Sequence, residues 1–307
     1  MYICDGWMDV SQISVMTVTN SRMEDMPVEL LYSLEINTII FNRVNFSRLS
    51  FSGVSPSSAN HLRNSLHTIE VNVAESMDKW DWSSFKDFQA LDSIRISGSP
   101  LPRLTKSFGD LPVSVKVINL ETVTLTSMAS GALAGLPNLQ TFKVNYTPLT
   151  TFVRSALPRP AENLRVLDLS SNKLSALPVD MFAEMPNLQT LSLKDNQLQT
   201  VGEKIFQNTK LKRIVLSGNP FNCDCELRWF KSFYWRNKNA FADHLEMFCT
   251  HPEHLRDERL LALDQDDFRC DIESDGLTAP AVANSADGSA RGSSKTQTTE
   301  ATACLSL

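Results

Sequence analysis

The sequence contains no apolar run of the ~18 residues that a membrane-crossing helix needs, so nothing in it is read as a membrane span. It has no basic surplus: 29 Lys and Arg against 35 Asp and Glu leave a net charge of −6, which argues against nucleic acid as the principal partner. There is no G-x-S-x-G elbow, no P-loop and no dinucleotide-binding fingerprint, so no catalytic residue can be named and no cofactor is implied. The nearest approach to a metal motif is His251-x-x-His254 with Glu253. Pro252 and the surrounding Glu and Asp residues make it an exposed acidic loop, and no metal is expected. The first residues, Met1-Tyr2-Ile3-Cys4-Asp5-Gly6-Trp7, lack the basic and apolar regions of a secretory signal.

What is present is a repeated pattern. Leu164, Leu167, Leu169 and Asn172 recur as Leu188, Leu191, Leu193 and Asn196, and again as Leu211, Ile214, Leu216 and Asn219. Positions 4 and 6 of each copy alternate as in a half-buried strand, which turns the leucines inward and the residues between them to solvent. The asparagine at position 9 ends the strand, where its amide can both donate to and accept from the backbone of an inward turn. One copy cannot bury its apolar face alone, so stacked copies must share a core, with their strands in one parallel sheet.

The same frame extends backward through less regular copies. Leu139, Phe142 and Val144 form one; Val115, Ile118 and Leu120 the next; then Leu91, Ile94 and Ile96, and Leu66, Ile69 and Val71. A longer step of 30 residues leads to Ile36, Ile39 and Phe41, and an ordinary one of 23 to Ile13, Met16 and Val18. In these six copies position 9 is Ser21, Val44, Ala74, Ser99, Val123 or Thr147, so their turns must be satisfied differently. Ser47 to Ser65, turn-rich around Gly53-Val54-Ser55-Pro56, accounts for the longer step as an enlarged loop. Phe182 and Phe206 read as aromatic anchors behind the sheet.

After the third regular copy come Cys223-x-Cys225, Cys249 and Cys270, with Leu227, Trp229, Phe230 and Trp235 between them. Four cysteines allow three pairings, and spacing alone does not choose. A zinc site would need a C-x₂₋₄-C rhythm that is absent here. The physical task of this region is to cover the apolar end of the last coil.

The L-x-x-L-x-L-x-x-N-x-L copies and the cysteine-rich segment resemble extracellular leucine-rich-repeat proteins with a C-terminal cap. More narrowly, divergent early repeats followed by regular late ones resemble the arthropod proteins similar to the non-catalytic subunit of oplophorus-luciferin 2-monooxygenase. The resemblance implies an α/β leucine-rich-repeat solenoid with a curved parallel sheet on its concave face and a disulfide-stapled cap. It implies bridges Cys223 to Cys249 and Cys225 to Cys270, an extracellular location and a non-catalytic role. The expected organisation is a remnant of an N-terminal cap over 1–12, a solenoid of about nine repeats over 13–218, the cap over 219–272 and a disordered tail over 273–307. In this reading the chain is cut short at its front, and Cys4 survives from the lost cap. The tail, rich in Ser, Thr, Ala and Gly, cannot bury enough apolar surface to fold. Its end, Cys304-Leu305-Ser306-Leu307, matches a prenylation signal by coincidence, since that chemistry is cytosolic.

The expected function is therefore binding of another protein on the concave face. Position 5 down the stack reads Thr17, Ile40, Glu70, Arg95, Asn119, Lys143, Asp168, Ser192 and Val215. Glu70, Arg95, Asn119, Lys143, Asp168 and the nearby Tyr146 are the candidate contacts, with Tyr and Arg the types enriched at hot spots. Glu70 can pair with Arg95, and Lys143 with Asp168, across adjacent strands. Asn45 and Asn145 head N-x-[ST] sequons and are candidate glycan sites. Lys210, Lys212, Arg213, Arg228, Lys231, Arg236 and Lys238 cluster near the cap, where a glycosaminoglycan could bind. Two other readings are an ectodomain fragment of a Toll-like receptor and a stabilising subunit of a secreted enzyme.

Overall fold

The repeat demands one short strand per copy and a parallel sheet built from them. The computed structural model describes residues 12–25, 31, 34–51, 60–207 and 209–270. It begins with β1 (Gln12–Thr19), β2 (Arg22–Asp25), β3 (Glu35–Arg48), helix α1 (Asn60–Ser65) and β4 (Thr68–Glu75). There follow β5 (Ser93–Ser97), β6 (Arg103–Leu104), β7 (Val117–Glu121), β8 (Ser127–Met128) and β9 (Thr141–Asn145). The regular copies supply β10 (Val166–Asp168), β11 (Thr190–Ser192) and β12 (Arg213–Val215), and the cap β13 (Phe221–Asn222), α2 (Arg228–Asn237) and β14 (Cys249–His251).

The main sheet runs β1-β3-β4-β5-β7-β9-β10-β11-β12, all parallel, with β2 also beside β3. Met16, Ile39, Ile69, Ile94, Ile118, Phe142, Leu167, Leu191 and Ile214 stand in one register across it. The frame inferred for the divergent copies therefore holds as well as that of the regular ones. From Ile39 onward these residues are buried. Several coils return through short 3₁₀ turns, such as Trp82–Phe85, Lys106–Asp110 and Glu203–Phe206.

Each coil turns inward through the same two positions. Position 8 is left-handed in all nine: Asn20, Arg43, Val73, Gly98, Thr122, Tyr146, Ser171, Asp195 and Gly218 have positive φ. Where position 9 carries an asparagine or Ser99, its side chain satisfies the turned backbone. Asn196 Nδ2 donates to Leu169 O at 2.9 Å and Leu193 O at 3.0 Å, while its Oδ1 accepts from Leu174 N at 3.0 Å. Asn219 repeats this set on Leu193, Leu216 and Leu198. Asn172 does so against Val144, Leu169 and Thr147. Ser99 is a shorter substitute: its hydroxyl accepts from Ala74 N at 2.9 Å and donates to Ser97 O at 2.9 Å.

Behind the early strands lies an aromatic core that the leucine count did not reveal. Phe41, Phe46 and Trp80 pack together, Trp80 touches Trp82, and Trp82 reaches Phe85 and Phe108. Phe182 and Phe206, the anchors expected from sequence, are buried with ring centroids 5.9 Å apart.

One expectation is corrected. Ser47 to Ser65 is not a loop throughout: β3 continues through Arg48 because Phe46, Leu49 and Phe51 bury inward, and 60–65 form α1. Arg48 also forms a two-pronged bridge to Asp25, Nε to Oδ1 at 2.8 Å and Nη2 to Oδ2 at 2.9 Å. That hydrogen bonding holds the Asp25 carboxyl below its ordinary range. Residues 52–59, the expected N-terminal remnant with Cys4, and the tail with Cys304 lie outside the described residues, as does everything else in 271–307.

Candidate protein-binding surface

The solvent side of the sheet is built by the strands' period of two. The register places Thr17, Ile40, Glu70, Arg95, Asn119, Lys143, Asp168, Ser192 and Val215 in a single row. A second row, two residues further along each strand, includes Asn42, Asn72, Ser97, Glu121 and Asn145.

Side-chain pairing differs from the expectation. Neither Glu70 with Arg95 nor Lys143 with Asp168 comes within ion-pair distance among the described residues. The acceptors are engaged along and beside their own strands instead. Asn72 Nδ2 donates to Glu70 Oε1 at 2.8 Å, and Asp168 Oδ1 accepts from Asn145 Nδ2 at 2.9 Å and from the Ser170 hydroxyl at 2.6 Å. Arg95 and Lys143 are left with open guanidinium and ammonium groups, and the Asn119 Oδ1 between them is buried without a hydrogen-bond partner.

Tyr146 stands at the rim of this face, 63% exposed and with φ of 55°. That conformation is the one position 8 takes in every coil, so what sets Tyr146 apart is the exposed aromatic ring it carries there. The glycan candidates have engaged amides: Asn145 Nδ2 binds Asp168 and Ser170, and Asn45 Nδ2 donates to Glu75. A sugar at either position would replace those contacts.

The cap closes the far end. Cys223 is joined to Cys249, Cα to Cα 5.7 Å, and Cys225 to Cys270, 4.9 Å. Helix α2 lays Trp229 and Phe233 against Phe206 of the last coil, with centroids 6.0 and 4.9 Å away, and buries Phe230. Trp235 lies on the opposite side of the helix and is 60% exposed. The cap also reaches the sheet side: Asp243 Oδ2 accepts from Leu216 N and Ser217 N, and Glu246 meets Lys194 at 3.9 Å. Lys194 and Glu121 thus join the surface, residues that the position-5 row by itself does not include.

A family model for the leucine rich repeat matches residues 162–221, and one for the leucine rich repeat C-terminal domain matches 247–271. The chain is a leucine-rich-repeat protein with a C-terminal cap. It is 29% identical to mouse (Mus musculus) trophoblast glycoprotein over 168 residues, which is 50% of this chain and 36% of that protein. Mouse vasorin is 25% identical over 219 residues, 71% of this chain and 27% of vasorin. The chain therefore spans about a third or less of the length of these relatives. In solved structures, a chain from the octameric complex of Latrophilin 3, Unc5D and FLRT2, in which FLRT2 contributes the leucine-rich repeats, superposes with a TM-score of 0.53. It shares 18% identity over 82% of this chain and 89% of that one, so the likeness is one of fold. Among the described residues of this leucine-rich-repeat protein, no three or more His, Cys, Asp or Glu gather to hold a metal ion, and no helix is long and apolar enough to cross a membrane.

Proposed function

We propose that the chain is a secreted, non-enzymatic recognition protein whose concave sheet binds another protein around Arg95, Lys143 and Tyr146. The observation that carries this reading is Tyr146, a large aromatic 63% exposed at the end of β9, the strand that also presents Lys143 without an ion-pair partner among the described residues. Mixed charge along the face, with Glu70, Arg95, Glu121, Lys143 and Asp168 in neighbouring registers, suits a protein surface of mixed charge. Two disulfides in the cap support an oxidising, extracellular setting.

The test is a binding screen of the chain, displayed as a multimer, against extracellular proteins, followed by titration of any hit. Alanine at Arg95, Lys143 and Tyr146 together is expected to weaken binding by at least about a hundredfold, in line with hot-spot losses. Unchanged affinity would place the interface elsewhere. A second reading, a recognition module within a longer receptor, is supported by the small share of each relative that the chain spans. Sequencing of complete transcript ends separates the two.

A further inference from the structure

The seven cations that cluster in sequence near the cap do not act alike in the structure. Arg228 Nη2 donates to Phe268 O at 2.7 Å, and Lys231 Nζ donates to Leu263 O beside Asp264, so these two tie the end of the cap to its helix. The other five, Lys210, Lys212, Arg213, Arg236 and Lys238, have no carboxylate within ion-pair distance among the described residues and are exposed. The elements that carry them meet because Ile214 bridges to Phe241 and Ala242 N donates to Ile214 O, which seats the segment after α2 beside β12.

Between Lys210 and Arg236 runs a groove of about 480 Å³, a volume within the range of small-ligand sites. Phe206 and Phe233 form its aromatic floor, Lys210 and Arg236 line it, and Gln207, Thr209 and Asn237 add neutral hydrogen-bonding groups. Glu203 is the one acid in its lining.

We infer that this groove is a binding site for a sulfated glycosaminoglycan chain. The net charge of the molecule is −6, yet here Lys210 and Arg236 line a trough with a single acid, and Lys212, Arg213 and Lys238 each adjoin a lining residue in the chain. That one-signed arrangement complements a repeating polyanion, unlike the alternating charges of the concave face. Exposed guanidinium groups pair bidentately with sulfate oxygens as they do with phosphate. Flat aromatic rings offer a surface to the apolar faces of sugar rings, and the neutral amides and hydroxyl meet their hydroxyl groups. The site lies at the junction of the last coil and the cap, and it stands independently of the protein-binding reading.

The test uses the full chain on immobilised heparin and, in parallel, on a sulfopropyl cation exchanger of matched charge density. The chain is expected to stay on heparin at about physiological salt and to elute there at higher salt than from the exchanger. The double variant Lys210→Ala with Arg236→Ala, and separately Lys212→Ala with Arg213→Ala, should each weaken binding of a heparin oligosaccharide by about tenfold, with unchanged circular dichroism. Lys86→Ala with Lys106→Ala, exposed and remote, should leave it unchanged. Equal elution from both resins, an equal loss in the remote variant, or capture by phosphatidylserine vesicles as strong as by heparin would overturn the assignment.

Discussion

At the scale of single residues, position 9 of each copy decides how the inward turn is satisfied. Asn196 serves three buried backbone groups at once: it is the side-chain acceptor for Leu174 N, and it shares the carbonyls of Leu169 and Leu193 with Asn172 and Asn219. Stranding a buried backbone donor or acceptor costs about 1–3 kcal/mol. Asn196→Ala strands the Leu174 amide while both carbonyls keep a second asparagine donor, and is therefore expected to lower stability by about 1–3 kcal/mol in urea denaturation. Asn196→Ser should recover part of that loss, because Ser99 shows a hydroxyl holding one amide and one carbonyl of such a turn. If alanine and serine cost the same small amount, the ladder is not what holds the turns. The asparagine role was legible in the sequence because Asn is one of few side chains that both donates and accepts in a fixed plane. The left-handed residue before it was not, since only Gly98 and Gly218 signal it, while Val73 and Thr122, both β-branched, are held in that conformation by the stacked coil.

At the scale of elements, strands were easier to foresee than what lies between them. A strand's inward pair is dictated by burial, which is why Ile39, Ile69 and Ile94 keep register even where no asparagine marks the copy. The backs of the coils have looser requirements, and the aromatic stack from Phe41 to Phe108 follows no fixed spacing. For the same reason the extent of β3 beyond Phe46 was missed: Leu49 and Phe51 continue the burial among polar residues that read as loop. The cap is the element whose tethering is most distributed. Its end is held by the Cys225 to Cys270 bridge, by Arg228 on Phe268 and by Lys231 on Leu263. Replacing Cys225 and Cys270 together by serine is expected to cost about 2–5 kcal/mol, the range found for small disulfide-bearing modules. Hydrogen exchange should then quicken first in 249–270, with 164–200 nearly unaffected. Uniform acceleration along the chain would show that the cap and the coils open as one unit.

At the scale of the whole solenoid, each coil meets only its neighbours, and that dictates how the molecule should respond to losing one. Residues 164–187 form one repeat, and their removal would join Asn163 to Leu188, as Asn187 is joined now. Asn163 and Asn187 already perform the same task one coil apart, donating to Pro137 O at 3.0 Å and Glu162 O at 2.8 Å. Asn196 would then meet Val144 and Thr147 as Asn172 does, and Phe142 would face Leu191 in place of Leu167. The specific losses include the pairing of Arg159 with Asp180 and Glu184, the bonds from Asn145 to Asp168 and Ser170, and the bond from the buried Arg154 to Ala183 O, whose counterpart 24 residues on is the Gln207 carbonyl. Because exposed ion pairs contribute little, the shortened chain is expected to fold, lowered in stability by about one coil and one interface. A single cooperative thermal transition, retained near-ultraviolet dichroism and four oxidised cap cysteines are the expected readings. A chain that keeps its far-ultraviolet signal but loses fixed aromatic packing would mean that distant coils support one another, contrary to nearest-neighbour stacking.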